Sequence, residues 1–124
     1  MLYHITTPVN LPSVMQHGLR CDGHGGFTRT THVDRIARLY GGTRPVFLTS
    51  DPTRLVAAQL TRSWVMQRKP VVLSVDVSDC CVEEHIGAPI SNLEFVVRHA
   101  INSERLKNAG MIVWNDTQPH WCVN

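Results

Sequence analysis

The chain opens Leu2-Tyr3-His4-Ile5-Thr6-Thr7 and continues Asn10-Leu11-Pro12-Ser13-Val14-Met15-Gln16-His17-Gly18-Leu19. The first stretch has the pattern of a short strand and the second that of a helix punctuated at both ends. So few residues separate them that one tight turn must join the two. His4 and Thr6 are two apart, so on a strand they point to the same face. Two polar side chains on one face of an otherwise apolar strand build a core poorly, and they predict that this face lines a cleft. In the helix, Asn10 is placed to cap the first turn and Pro12 fits within it. Leu11, Val14 and Met15 form the apolar stripe. Gly18 suits the left-handed residue that closes a helix, with Leu19 as the hydrophobic contact beyond it. A helix of about two turns cannot persist on propensity alone, so it must pack.

The rest of the chain predicts a sheet with few helices. Residues 20–33 hold three glycines and no periodicity, which marks a loop. A short helix is expected at 34–39, closed by Tyr40 and Gly41-Gly42. Pro45 to Thr49 reads as a buried strand. Ser50 or Asp51 then caps a helix with Pro52 near its first position, running to about Gln67 on Val56, Leu60 and Trp64. Val71–Val77 alternates as a half-buried strand, with Leu73, Val75 and Val77 on one face and Ser74 and Asp76 on the other. Residues 78–89 are polar and irregular. Glu94–Arg98 and Met111–Trp114 are further strands, with a helical turn at Ser103–Lys107 between them and an edge strand near His120–Val123. Five or six strands with two or three short helices predict an α+β fold in which the helices are segregated from a meandering sheet.

With 124 residues the chain is expected to make a single domain over 1–124. A hydrophobic fraction of 43% with 18% charged residues excludes a disordered chain. A net charge of +2 does not by itself demand nucleic acid. Arg29, Arg35, Arg38, Arg44, Arg54, Arg62, Arg68 and Lys69 nevertheless concentrate in the middle of the chain, as a basic patch or a solvated surface. No apolar run approaches the roughly 18–20 residues of a membrane span, and the first residues lack the pattern of a signal peptide. Cys21, Cys80, Cys81 and Cys122 show no CxxC or framework spacing, which predicts a reduced, cytoplasmic setting. A zinc site drawn from Cys80, Cys81, His85, His120 and Cys122 is a weaker alternative, because adjacent cysteines do not easily share one tetrahedral ion.

Three ordered blocks carry a resemblance. Tyr3-His4-Ile5-Thr6 with Asn10-Leu11 and Gly18-Leu19, then Phe47-Leu48-Thr49-Ser50-Asp51-Pro52, then Asn92-Leu93-Glu94-Phe95-Val96-Val97 with Ile101, Ser103 and Glu104, resemble the ADP-ribosyltransferase superfamily. The wording is closest to the DarT-type toxins that modify DNA, and is also similar to RNA 2′-phosphotransferases. The resemblance implies a split β-sheet with short helices, NAD⁺ as substrate and no metal. It also implies a macromolecular acceptor (DNA, RNA or protein) and a role as a bacterial or phage toxin or effector.

By position, the resemblance implies that His4 bonds an adenosine-side ribose hydroxyl and that the Ile5 backbone holds the nicotinamide amide, with Thr6 beside them. A strand backbone offers the donor and the acceptor that an amide needs. A partly buried histidine bonded to backbone explains His4 equally well. Glu94 is the implied catalytic group. Cleaving the nicotinamide–ribose bond passes through an oxocarbenium-like state, which a carboxylate on the ribose 2′-hydroxyl stabilises where charge develops. Glu83, Glu84 and Glu104 are its rivals, and the adjacent Glu83-Glu84 pair is expected to face water. Thr49 and Ser50 are implied to steady the glutamate or the ribose, Tyr40 to stack on nicotinamide or plug the core, and Arg29 to assist a glycine-rich cover at 23–26 over the phosphates. Arginine-modifying members carry Glu or Gln two residues before the catalytic glutamate, where this chain has Asn92. For a 2′-phosphotransferase, Arg20, Arg29, His32 or Arg44 would hold the phosphate. The whole expectation requires the Glu94 carboxylate to lie on the same side of the sheet as His4, and it fails if the two stand on opposite sides.

Overall fold

A computed structural model describes residues 1–21 and 37–123. Its frame is a seven-stranded antiparallel sheet with a few short helices, a small mixed α/β fold. In chain order the elements are β1 (Leu2–Thr6), α1 (Leu11–His17), β2 (Val46–Thr49), α2 (Pro52–Gln59), α3 (Arg62–Arg68) and β3 (Val71–Val75), then β4 (Glu83–Glu84), β5 (Glu94–Val97), a 3₁₀ turn (Ser103–Arg105), β6 (Leu106–Asn115) and β7 (Gln118–Cys122). The strands lie in the order β4-β5-β2-β1-β3-β6-β7, so the first strand is central and the sheet grows outward on both sides of it rather than meandering.

Cross-strand partners share a face, and the two faces have separate cores. Val46, Leu48, Leu73, Val75 and Val97 are buried on one face with Val14 of α1. Val72 and Ile112 are buried on the other with Val56 of α2 and Val65 of α3. The helices therefore cover both sides of the sheet rather than segregating to one. This also changes the expected half-buried character of β3. Val71, Val72, Leu73 and Val75 are all buried, because each face has its own helical cover. Each such side chain contributes about 1.5–3 kcal/mol on removal from water.

Two boundaries differ from expectation for local reasons. The long helix expected from residue 51 to 67 is two helices. Leu60 is extended, and the Thr61 side chain accepts from the Trp64 N–H, so α3 starts afresh on its own cap. In α1, Asn10 makes no side-chain cap, and its backbone is already helical. Residues 83 and 84, expected to lie in an irregular polar stretch, form the edge strand β4 against β5. The segment 34–36 and the glycine-rich stretch 23–26 lie outside the described residues. Residues 37–39 are helical, and the Gly42 N–H donates to Ala37 O at 2.8 Å.

Candidate functional site

The sheet is continuous except at its centre. β1 pairs with β3 along five positions but with β2 at only one, Tyr3 opposite Thr49. Continuing that register would set Ile5 against Phe47 and Thr7 against Pro45. Proline has no N–H to give a ladder, and Pro8 follows shortly after the end of β1, so pairing is not resumed beyond Ile5 and Phe47. The two strands part here, and the gap opens a cavity of about 860 Å³. Residues of α1 line it from one side of the sheet and Leu55, Trp64 and Gln67 of α2 and α3 from the other, so it passes between β1 and β2. Its volume falls in the range of small-molecule sites, roughly 300–1,000 Å³.

His4 stands in this gap. Its Nδ1 lies 2.9 Å from the Phe47 carbonyl oxygen. A carbonyl only accepts, so Nδ1 carries the proton and donates across the split. In the neutral ring, Nε2 is then an acceptor. Burial lowers the pKa of His4 and the neighbouring Arg44 lowers it further, against the opposing pull of the Phe47 carbonyl. The imidazole is thus held uncharged, fixed at one nitrogen and offering a lone pair at the other. Burial also lowers the pKa of Arg44.

Glu94 opens β5 directly opposite Thr49, which lies opposite Tyr3. Its backbone is held from several directions. The Thr49 hydroxyl donates to Leu93 O at 2.9 Å, the Ser50 hydroxyl to Asn92 O at 2.6 Å, and the His85 N–H to Glu94 O at 2.9 Å. Asn92 adopts a left-handed backbone at φ 60°, a conformation asparagine tolerates better than Glu or Gln. It forms the turn that delivers the glutamate. The side chain of Glu94 accepts from Gln59 Nε2 at 2.9 Å and reaches the cavity wall.

Strand alternation places Glu94, in one row with Tyr3 and Thr49, on the α2–α3 face, and His4 on the α1 face. They stand on opposite faces of the sheet, so the requirement that Glu94 and His4 share a side is not met. Both nevertheless border the same cavity, because it runs through the sheet.

Of the other expected site residues, Ile5, Thr6 and Thr49 line the cavity. Ser50 does not; Asp51, not Ser50, caps α2 by accepting from the Arg54 N–H, so the Ser50 hydroxyl is left to tie β2 to Asn92. Tyr40 lies away from it, buried, with its hydroxyl 2.6 Å from His85 Nδ1 and accepting the Ile86 N–H, and with Arg98 over its ring. That is the core plug rather than a stacking platform. Arg29 lies outside the described residues. The rival carboxylates are engaged elsewhere: Glu83 pairs with Arg98 at 2.7 Å, Glu84 accepts the Asn92 N–H at 2.8 Å, and Glu104 borders a separate hollow of about 210 Å³. Trp64 lines the cavity and Gln59 stands behind Glu94 without any sequence signal having marked them for it, whereas Arg68 and Lys69 come from the basic middle of the chain. Among the described residues, the charged side chains bordering the cavity are Arg20, Arg44, Arg68, Lys69 and Glu94.

Among the described residues, no group of three or more His, Cys, Asp or Glu is placed to hold a metal ion, so the zinc alternative has no cluster to stand on. No helix among them is long and apolar enough to cross a membrane. No family model, curated protein or solved structure matches the chain.

Proposed function

We propose that this protein is an NAD⁺-dependent mono-ADP-ribosyltransferase that modifies a nucleic-acid or protein acceptor, in the manner of a bacterial or phage toxin or effector. One observation carries the reading: a cavity of about 860 Å³ at the split in the sheet, bordered by His4, Ile5 and Thr6 of β1 and by Glu94 of β5. The Ile5 backbone, left without a β2 partner, suits the nicotinamide amide. The acceptor nitrogen of neutral His4 suits a ribose hydroxyl. The four cationic side chains suit phosphates. Glu94 then bonds the 2′-hydroxyl of the nicotinamide ribose. As the glycosidic bond breaks, nicotinamide leaves with the bonding electrons and the carboxylate stabilises the oxocarbenium left behind. The acceptor attacks the anomeric carbon and passes its proton to the Glu94 carboxylate, from which it is lost to water.

The test is nicotinamide release from NAD⁺ by the parent protein and by Glu94→Gln. The variant is expected to abolish release while still binding NAD⁺, because the amide keeps the shape but not the charge. Undiminished release by that variant would remove Glu94 from the mechanism. The cationic rim also favours a second reading, an RNA 2′-phosphotransferase on the same frame. Release that occurs only with RNA bearing a 2′-phosphate would select it. Binding of NAD⁺ without any release in the parent would leave a non-catalytic binding module.

A further inference from the structure

We infer that Gln59 is a positioning residue that sets the orientation of the Glu94 carboxylate, an assignment that rests on the role just given to Glu94. The backbone of Glu94 is fixed by β2 and by the clamps at Leu93 and Asn92. Those contacts do not fix the outer torsions of its side chain, which are soft. The side-chain amide of Gln59 supplies that restraint, donating from Nε2 to Oε2 at 2.9 Å. It occupies one carboxylate oxygen and leaves Oε1 for a ribose hydroxyl.

The identity of the residue fits the task. A neutral donor holds a carboxylate without cancelling its charge, whereas an arginine there would compete with the developing oxocarbenium for it. Gln59 is also anchored. It is the last residue of α2, whose start is fixed by the Asp51 cap and by buried Pro52 and whose middle is fixed by buried Val56. Gln59 does not line the cavity, so it acts through Glu94 rather than on substrate. Neither neighbouring carboxylate can take over, because Glu83 and Glu84 are bonded elsewhere.

Two exposed-site variants test this, Gln59→Leu and Gln59→Glu, each checked for an unchanged melting temperature. For nicotinamide release, Gln59→Leu is expected to lower kcat about tenfold with KM for NAD⁺ within about twofold of the parent. Gln59→Glu places a like charge at hydrogen-bond distance, so the acid limb of the pH–rate profile moves to higher pH. Among the described residues, the other titratable groups bordering the cavity are Tyr3, His4, His17, Arg20, Arg44, Arg68 and Lys69, and they are the same in both variants. Parent-like kcat and pH profile in both, alongside an inactive Glu94→Gln, would overturn the role of Gln59 and leave that of Glu94 intact. Full release by Glu94→Gln, or none by the parent, would remove the functional reading and the positioning role with it.

Discussion

The imidazole of His4 bridges two parting strands through its Nδ1–H, and only while the ring is neutral does Nε2 remain an acceptor. Burial and Arg44 lower the pKa of His4 from its ordinary 6.5. In the unfolded chain the ring takes a proton near that ordinary value, so below it the unfolded state binds more protons than the folded one. The sign is therefore fixed. Stability attributable to His4 is complete above pH 6.5, declines as the pH falls from there, and stops declining below the lowered folded value. Asp76 behaves differently. The Ser78 N–H, and then Arg105, hold its carboxyl at about 2 rather than 3.8, so its contribution is lost only between those values. Replacing His4 with Gln should flatten the melting temperature between pH 7.5 and 5 relative to the parent. An identical slope in the variant would mean that the ring does not titrate as described. The same residue shows what was legible in sequence. The spacing of His4 and Thr6 pointed to a cleft, and both do border one. Nothing in that spacing could reveal that Glu94 approaches from the opposite face, because strand register across β1, β2 and β5 is a property of pairing and not of any one segment.

Among the elements, α1 forms the cavity wall on one side, and one contact closes its far end. Gly18 has φ 78°, and a Cβ placed on it would lie 2.2 Å from the Ile101 carbonyl oxygen. Leu19 then pairs with Ile101 by reciprocal backbone bonds of 2.9 Å. Gly18→Ala should therefore cost more than about 1 kcal/mol in chemical denaturation and loosen the wall that carries Ser13 and His17. The glycine was readable as a helix stop, but its approach to residue 101, more than eighty residues away, was not. The helix boundary at Leu60-Thr61 was missed for a related reason. The apolar spacing of Val56, Leu60 and Trp64 suits one helix, and only the threonine cap shows that α3 begins again. One helix running on to residue 67 would put Gln59 in its middle, whereas the boundary makes it a helix end beside Glu94.

At the scale of the whole molecule, the architecture turns one weakness into a site. β1 is central, and a central strand should be fully paired, yet its ladder with β2 stops after one position, and Pro45 and Pro8 beyond it offer no N–H with which to resume. Helices on both faces keep the resulting gap from collapsing, and it fills with one fixed histidine, one held carboxylate and a cationic rim. The most direct measurement is a structure determined with NAD⁺ bound. The dinucleotide is expected to lie through the gap, with the nicotinamide amide on the Ile5 backbone and Oε1 of Glu94 within hydrogen-bond distance of the adjoining ribose. A dinucleotide confined to the α1 side, with the sheet standing between its ribose and Glu94, would contradict the account.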